Sequence, residues 1–256
     1  MADYRNASMR SVPAAGTRTD IDQGLRSYML KVYNLMAGGL ALTGIAAYAL
    51  YAMSVTTEPT AYQVRPDLFL TDLGYTVFVS PLKWVLMLAP LAMVFFLSFR
   101  VHKMSVQAAQ ATFWSYAAMV GLSLATIFLV YTQESITQVF FITAASFGAL
   151  SLWGYTTKRD ISGWGSFLFM GVIGIVIAMV VNIFLASPAL TFAISVIGVL
   201  VFAGLTAYDT QQIKEMYYEG DGSAVMGRKA VMGALRLYLD FLNMFLFLLQ
   251  LFGNRN

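Results

Sequence analysis

The sequence predicts an all-α, polytopic membrane protein with seven transmembrane helices, and three observations carry that prediction. Of its 256 residues, 59% are hydrophobic and only 11% are charged, where a soluble domain carries about 25% charged residues. The apolar residues gather into seven segments, each near the roughly 20 residues that cross a bilayer. Lysine and arginine fall near the segment ends and concentrate on alternate connections, the distribution expected of a chain that threads a membrane.

Residues 1–27 are polar, contain Ala, Ser and Thr with scattered Arg and Asp, and are expected to form a disordered cytoplasmic tail. Residues 28–256 are expected to form a single seven-helix transmembrane domain. The tail is too long and too charged for a signal-peptide n-region, so the first apolar segment reads as a retained helix. The spans are placed at Tyr33–Met53, Leu82–Phe99, Ala108–Val130, Thr137–Thr156, Trp164–Leu185, Ala189–Tyr208 and Val231–Phe252. Pro81 and Pro188 stand near the starts of the second and sixth, where a missing N–H costs little. Pro90 falls inside the second and is expected to kink it. The connection Ser54–Ser80, with Pro59, Pro66, Glu58, Asp67 and Asp72, reads as the longest loop. Gly38, Gly39, Gly171, Gly174, Gly198 and Gly204 suit close helix approach. Trp84, Trp153 and Trp164 suit interfacial anchoring.

A cytoplasmic N-terminus puts Arg5, Arg10, Arg18, Arg26, Lys31, Arg100, Lys103, Lys158, Arg159, Lys214, Arg228, Lys229 and Arg236 inside, leaving Arg65, Lys83 and Arg255 outside. An odd number of spans then places the C-terminus outside; a re-entrant last helix would return it to the cytoplasmic side.

Several functions are excluded by residue type. The chain has no cysteine and a single histidine, His102, so it offers no disulfide, no thiolate metal site and no His-based zinc site. It has no G-x-x-x-x-G-K-[ST] loop and no G-x-S-x-G elbow. No lysine lies between Val231 and Phe252, which removes a Schiff base in the seventh helix. No enzymatic activity, cofactor or nucleic-acid partner is expected.

Two acids remain to be explained. Asp240 interrupts GALRLYLDFLNMFLFLLQLFG, and Asp209 ends the preceding apolar run in GLTAYDTQQIK. An Asp at a helix centre costs roughly 2.5–3.5 kcal/mol on insertion scales, so such residues are rare without a partner or a purpose. Arg236 lies four residues before Asp240 and could pair with it on one helix face; Asp209 could snorkel to headgroup water. Alternatively the two acids, both in the cytoplasmic half, form one site. Asn243 shares the stripe of Asp240 at i+3, which turns that face towards the bundle and puts Asn243 on a candidate ion path. Arg100 ends the second span in the same layer. His102, next to it, reads as an ordinary interface residue.

SVIGVLVFAGLTAYDTQQIK followed by LRLYLDFLNMFLFLLQLFG resembles the paired signature of the transmembrane BAX inhibitor motif family, in its bacterial branch. The resemblance covers all seven spans in spacing and is most specific from Ile194 to Gly253. It implies six helices around a central, very hydrophobic seventh, and a pH-sensitive calcium leak of the bacterial inner membrane. It assigns Asp209 and Asp240 to a hydrogen-bonded, pH-sensing dyad near the cytoplasmic side, and Arg100 to a latch on one of the acids. Ala89 and Gln250 stand where some members carry a Glu and an Arg, which leaves no second charged gate. Two neighbouring carboxyls in low dielectric share one proton and titrate as a unit. Asp209, Asp240 and Asn243 would give calcium, the transported ion, a weak site with too few oxygen ligands for tight binding, as conduction requires. The partners expected are the lipid bilayer and calcium, with the chain a monomer. Two other functions use the same features: restraint of an ATP-dependent membrane protease through the N-terminal tail, and proton-coupled transport through the two acids.

Overall fold

The computed structural model describes residues 18–256. The expected disordered tail lies outside the described residues as far as residue 17. From there it gives way to helix α1, Arg18–Ser54, so residues 18–27 are helical rather than disordered. The helix is anchored just beyond them: Tyr28, Met29 and Val32 are buried in the core, the Tyr28 ring lies 5.8 Å from that of Tyr217, and Gly24 faces the same Tyr217 side chain. The early turns of α1 therefore gain a tertiary partner that local polarity conceals.

Every other expected span is present. They are α3 (Leu82–Arg100), α4 (Val106–Leu124) continued by short α5 (Ile127–Val130), α6 (Gln133–Thr156), α7 (Trp164–Leu185), α8 (Pro188–Glu215) and α9 (Ser223–Phe252). With α1 these make seven segments long and apolar enough to cross a membrane. α3 runs unbroken through Pro90. The third span is interrupted instead: around Ala125 the hydrogen bonds tighten to i→i−3, Ala125 N–H to Leu122 O and Phe128 N–H to Ala125 O. Phe128 then stacks on Tyr51 of α1, with ring centroids 5.3 Å apart.

Helix starts follow their caps. Ser105, Thr132 and Ser187 each accept from the backbone N–H three residues on, and Pro188 occupies the first turn of α8. α7 ends at Ala186, which sits in the left-handed region at φ 47°, and the Asn182 side chain accepts from Ser187 N–H to fix that turn. The connection 55–80, expected to be an irregular loop, holds an antiparallel three-stranded sheet and a short helix. Its strands are β1 (Val55–Thr56), β2 (Gln63–Arg65) and β3 (Leu68–Leu70), in order β1-β3-β2, followed by α2 (Asp72–Phe78).

α9 occupies the centre. Of its most apolar 18-residue stretch 72% is buried, against 11% for those of α3 and α7, and it packs on α1, α4, α6 and α8. Its partners also establish that it traverses the bundle. Near its start, Arg228 donates to Met104 O, just before α4; past its end, Asn256 N–H donates to Val130 O, at the close of α5. The last helix thus runs the length of the bundle. α1 enters at the end where α9 begins, so the described start and the C-terminus lie at opposite ends.

The centre is tied by one buried polar junction. The Tyr238 hydroxyl of α9 lies 2.6 Å from Thr43 Oγ1 of α1, and Thr43 Oγ1 lies 2.8 Å from Ala117 O of α4. Tyr238→Phe removes one bond and leaves Thr43 satisfied. Within a membrane such bonds average roughly 0.6 kcal/mol, so a fall of a few degrees in thermal unfolding midpoint in detergent is expected, with the fold intact.

Candidate functional site

α8 and α9 bring the two acids together. Asp240 is 4% exposed, and its carboxyl and that of Asp209 on α8 are side-chain hydrogen-bonding neighbours. Ionised carboxylates only accept hydrogen bonds, so a carboxyl–carboxyl contact holds together by a shared proton. The side chain of Asp209 is 14% exposed, and its Oδ1 lies 3.8 Å from an Arg236 nitrogen; Arg236 is 44% exposed. Asp240 Oδ2 is buried with no hydrogen-bond partner among the described residues. The geometry is thus a buried carboxyl beside a partly exposed one, with a cation at their outer edge.

The cation differs from the one expected. Arg100 is exposed at the end of α3 and lies over the Phe96 ring at 5.9 Å; the ion pair to Asp209 is made by Arg236. Residues four apart on one helix face the same way, so Arg236 follows Asp240 into the α8–α9 seam. There it meets the acid of the neighbouring helix rather than that of its own. Asn243 is half-buried, and one N–H of its amide donates to Leu239 O one turn back at 2.8 Å, which leaves its Oδ1 to accept or ligate. Among the described residues no group of three or more His, Cys, Asp or Glu could hold a metal.

Two features around the acids were not found in the sequence. Thr210, next to Asp209, belongs to a hydroxyl ladder: Thr210 Oγ1 lies 2.8 Å from Ser151 Oγ of α6, which lies 2.6 Å from the Tyr33 hydroxyl of α1. Gln211 is a pin. Its Oε1 accepts from Ile161 N–H at 3.0 Å and its Nε2 donates to Arg159 O at 2.9 Å, which holds the α6–α7 connection against α8. The run Asp-Thr-Gln thus spends its polar atoms in three directions, and its polarity at the end of an apolar segment was the available signal.

Towards the other end of α9 the path is apolar. Phe241 and Phe245 meet Phe140 of α6, and Phe247 stacks on Phe202 of α8 at 5.9 Å. Beyond them lies a cavity of about 370 Å³ whose polar lining includes Asn182, Thr191, Ser195, Gln250 and Arg255. Ser195 donates to Gln250 Oε1 at 2.7 Å. Gln250 lies roughly 15 Å along α9 from Asp240 at 1.5 Å per residue, so the apolar layers separate a polar cavity at one end from the acid pair at the other.

The chain matches, over residues 25–256, the family described as inhibitor of apoptosis-promoting Bax1. It is 45% identical over 235 residues to the inner membrane protein YbhL of Escherichia coli K12, covering 91% of this chain and 93% of that protein. It is 46% identical to an uncharacterised protein of Caulobacter vibrioides, over 99% of this chain and 98% of the other. With the protein RP147 of Rickettsia prowazekii, also uncharacterised, it shares 43% identity over 100% and 99% of the two chains.

Proposed function

The chain belongs to the Bax inhibitor family, and on that premise we propose that it is a pH-sensitive calcium leak of the bacterial inner membrane, gated by Asp209 and Asp240. The observation that carries this reading is the buried carboxyl pair in the seam between α8 and the central helix. The membrane address rests on the seven apolar spans and on the likeness to an inner membrane protein.

With one shared proton the pair ties α9 to α8, and the Phe layers beyond it stay closed. Loss of that proton sets two negative charges against each other in low dielectric. The seam loosens, and the same two carboxylates become a local attraction for a divalent cation. With so few ligands the cation is held weakly and passes on. Calcium uptake by proteoliposomes of the purified protein, recorded across about pH 5–8, tests the reading, the two carboxyls titrating as one unit. Flux that rises with pH supports it; flux absent at every pH removes it.

Arg236 offsets the charge of the ionised pair, so its removal makes the proton harder to lose. Arg236→Ala is expected to move the midpoint of the flux–pH curve to higher pH by up to about one unit, an opposite charge at this distance being worth about that much when half exposed. Arg100→Ala is expected to leave the midpoint in place. The reverse result in the same flux assay would return the latch to α3.

A further inference from the structure

α1 is longer than a membrane requires. Its apolar span Gln23–Ser54 extends roughly 48 Å at 1.5 Å per residue, against a hydrocarbon core of about 30 Å. Its first turns therefore stand at headgroup depth, and two cavities meet there. One, of about 600 Å³, lies between α1 and α4 and is lined by Arg26, Lys31, Gln23 and Asn34 over a floor that includes Trp114. The other, of about 350 Å³, lies between α1 and α6 and is lined mainly by apolar side chains, among them Met29, Met36, Phe147 and Leu152. Arg26 and Leu30 line both. A cationic, amide-bearing recess thus opens beside an apolar groove, both on the outer surface of α1.

We propose that this end of α1 binds one anionic phospholipid, with its phosphate at Arg26 and Lys31 and an acyl chain in the α1–α6 groove. The charge of the recess selects the phosphate. Arg presents a planar fork that matches its oxygens, and Lys adds a second positive charge. The groove accounts for the chain: α6 contributes Gly148 there, where a β-carbon would meet nothing within 4 Å, so the absent side chain leaves a channel open to lipid. Tyr33 and Ser151 also line the groove, and they are the first two hydroxyls of the ladder that ends beside Asp209. The binding site stands on its own geometry and does not depend on calcium conduction.

Native mass spectrometry of the purified full chain tests it, titrating phosphatidylglycerol, phosphatidylcholine and glycerol phosphate in parallel. Phosphatidylglycerol is expected to bind tightest. Arg26→Ala and Lys31→Ala should each weaken it about fivefold, the usual effect of one basic residue at a membrane surface, while leaving phosphatidylcholine unchanged. Gly148→Leu fills open space, so it should fold normally, weaken both lipids and keep the preference between them. Equal binding of the two lipids by the wild type would overturn the proposal, as would basic-residue variants that bind as the wild type does. Glycerol phosphate binding as tightly as phosphatidylglycerol would reduce the site to one for a free anion. Phosphatidylglycerol binding that appears only after deletion of residues 1–17 would show the recess to be filled by the chain's own N-terminal segment.

Discussion

Asp240→Asn is expected to flatten the pH dependence of calcium flux across about pH 5–8, while the protein still folds and purifies as the wild type does. The amide keeps the size of the carboxyl and can still hydrogen-bond to Asp209, but it cannot carry the second negative charge. Asp240 is 4% exposed and has Asp209 as its hydrogen-bonding and charged neighbour, so the charge repulsion proposed to open the seam is present only when both positions are acids. Asp209→Asn should act in the same way, because either substitution breaks the same electrostatic unit. The double variant should add little to either single one, as residues that act together are not additive. Proteoliposome flux on the four proteins decides the matter. Single variants that keep the wild-type profile would make the acids structural and place the sensor elsewhere. Flux missing from all four, wild type included, would favour a protein-partner role over conduction.

The contrast between Arg236 and Arg100 shows how far one chain's sequence carries. Spacing along a helix was legible: Arg236 and Asp240 do share a face of α9. Which acid the guanidinium meets depends on how α8 crosses α9, and no spacing within either helix encodes that crossing. The same limit explains the hydroxyl ladder. Tyr33, Ser151 and Thr210 are ordinary residues on three different helices, and only packing makes them a line.

Span positions were legible because lipid imposes length and apolarity on each segment directly; Trp164–Leu185 is found as expected. Ends were less legible where burial replaces lipid. α8 continues past Tyr208 through polar Asp209, Thr210 and Gln211 to Glu215, since those side chains find partners inside the protein. α1 begins well before its apolar run because Tyr28 and Met29 pack at the mouth of the bundle. The short strands of residues 55–70 carry too few residues for alternation to register.

Gly154→Val is expected to be among the most damaging single changes in the bundle. Gly154 lies on α6 where α6 crosses α8, and a β-carbon there would overlap the carbonyl oxygen of Ala207. Overlap with a flexible side chain can be relieved by a rotamer change; overlap with helical backbone requires two helices to move apart. That movement would draw Ser151 away from Thr210, now 2.8 Å apart, and disturb the stretch of α8 that carries Asp209. Overpacking costs roughly 1–3 kcal/mol where side chains can adjust, and here they cannot, so a loss above about 3 kcal/mol is expected. The measurement is the fraction of folded, monodisperse protein recovered in detergent together with its thermal midpoint. Gly148→Leu on the same helix is the control, because its side chain enters open space. If both variants fold equally well, the α6–α8 crossing is looser than its geometry requires, and the small residue at position 154 has no packing role. If only Gly154→Val fails, the close approach of α6 to α8 is what positions Asp209 against the central helix.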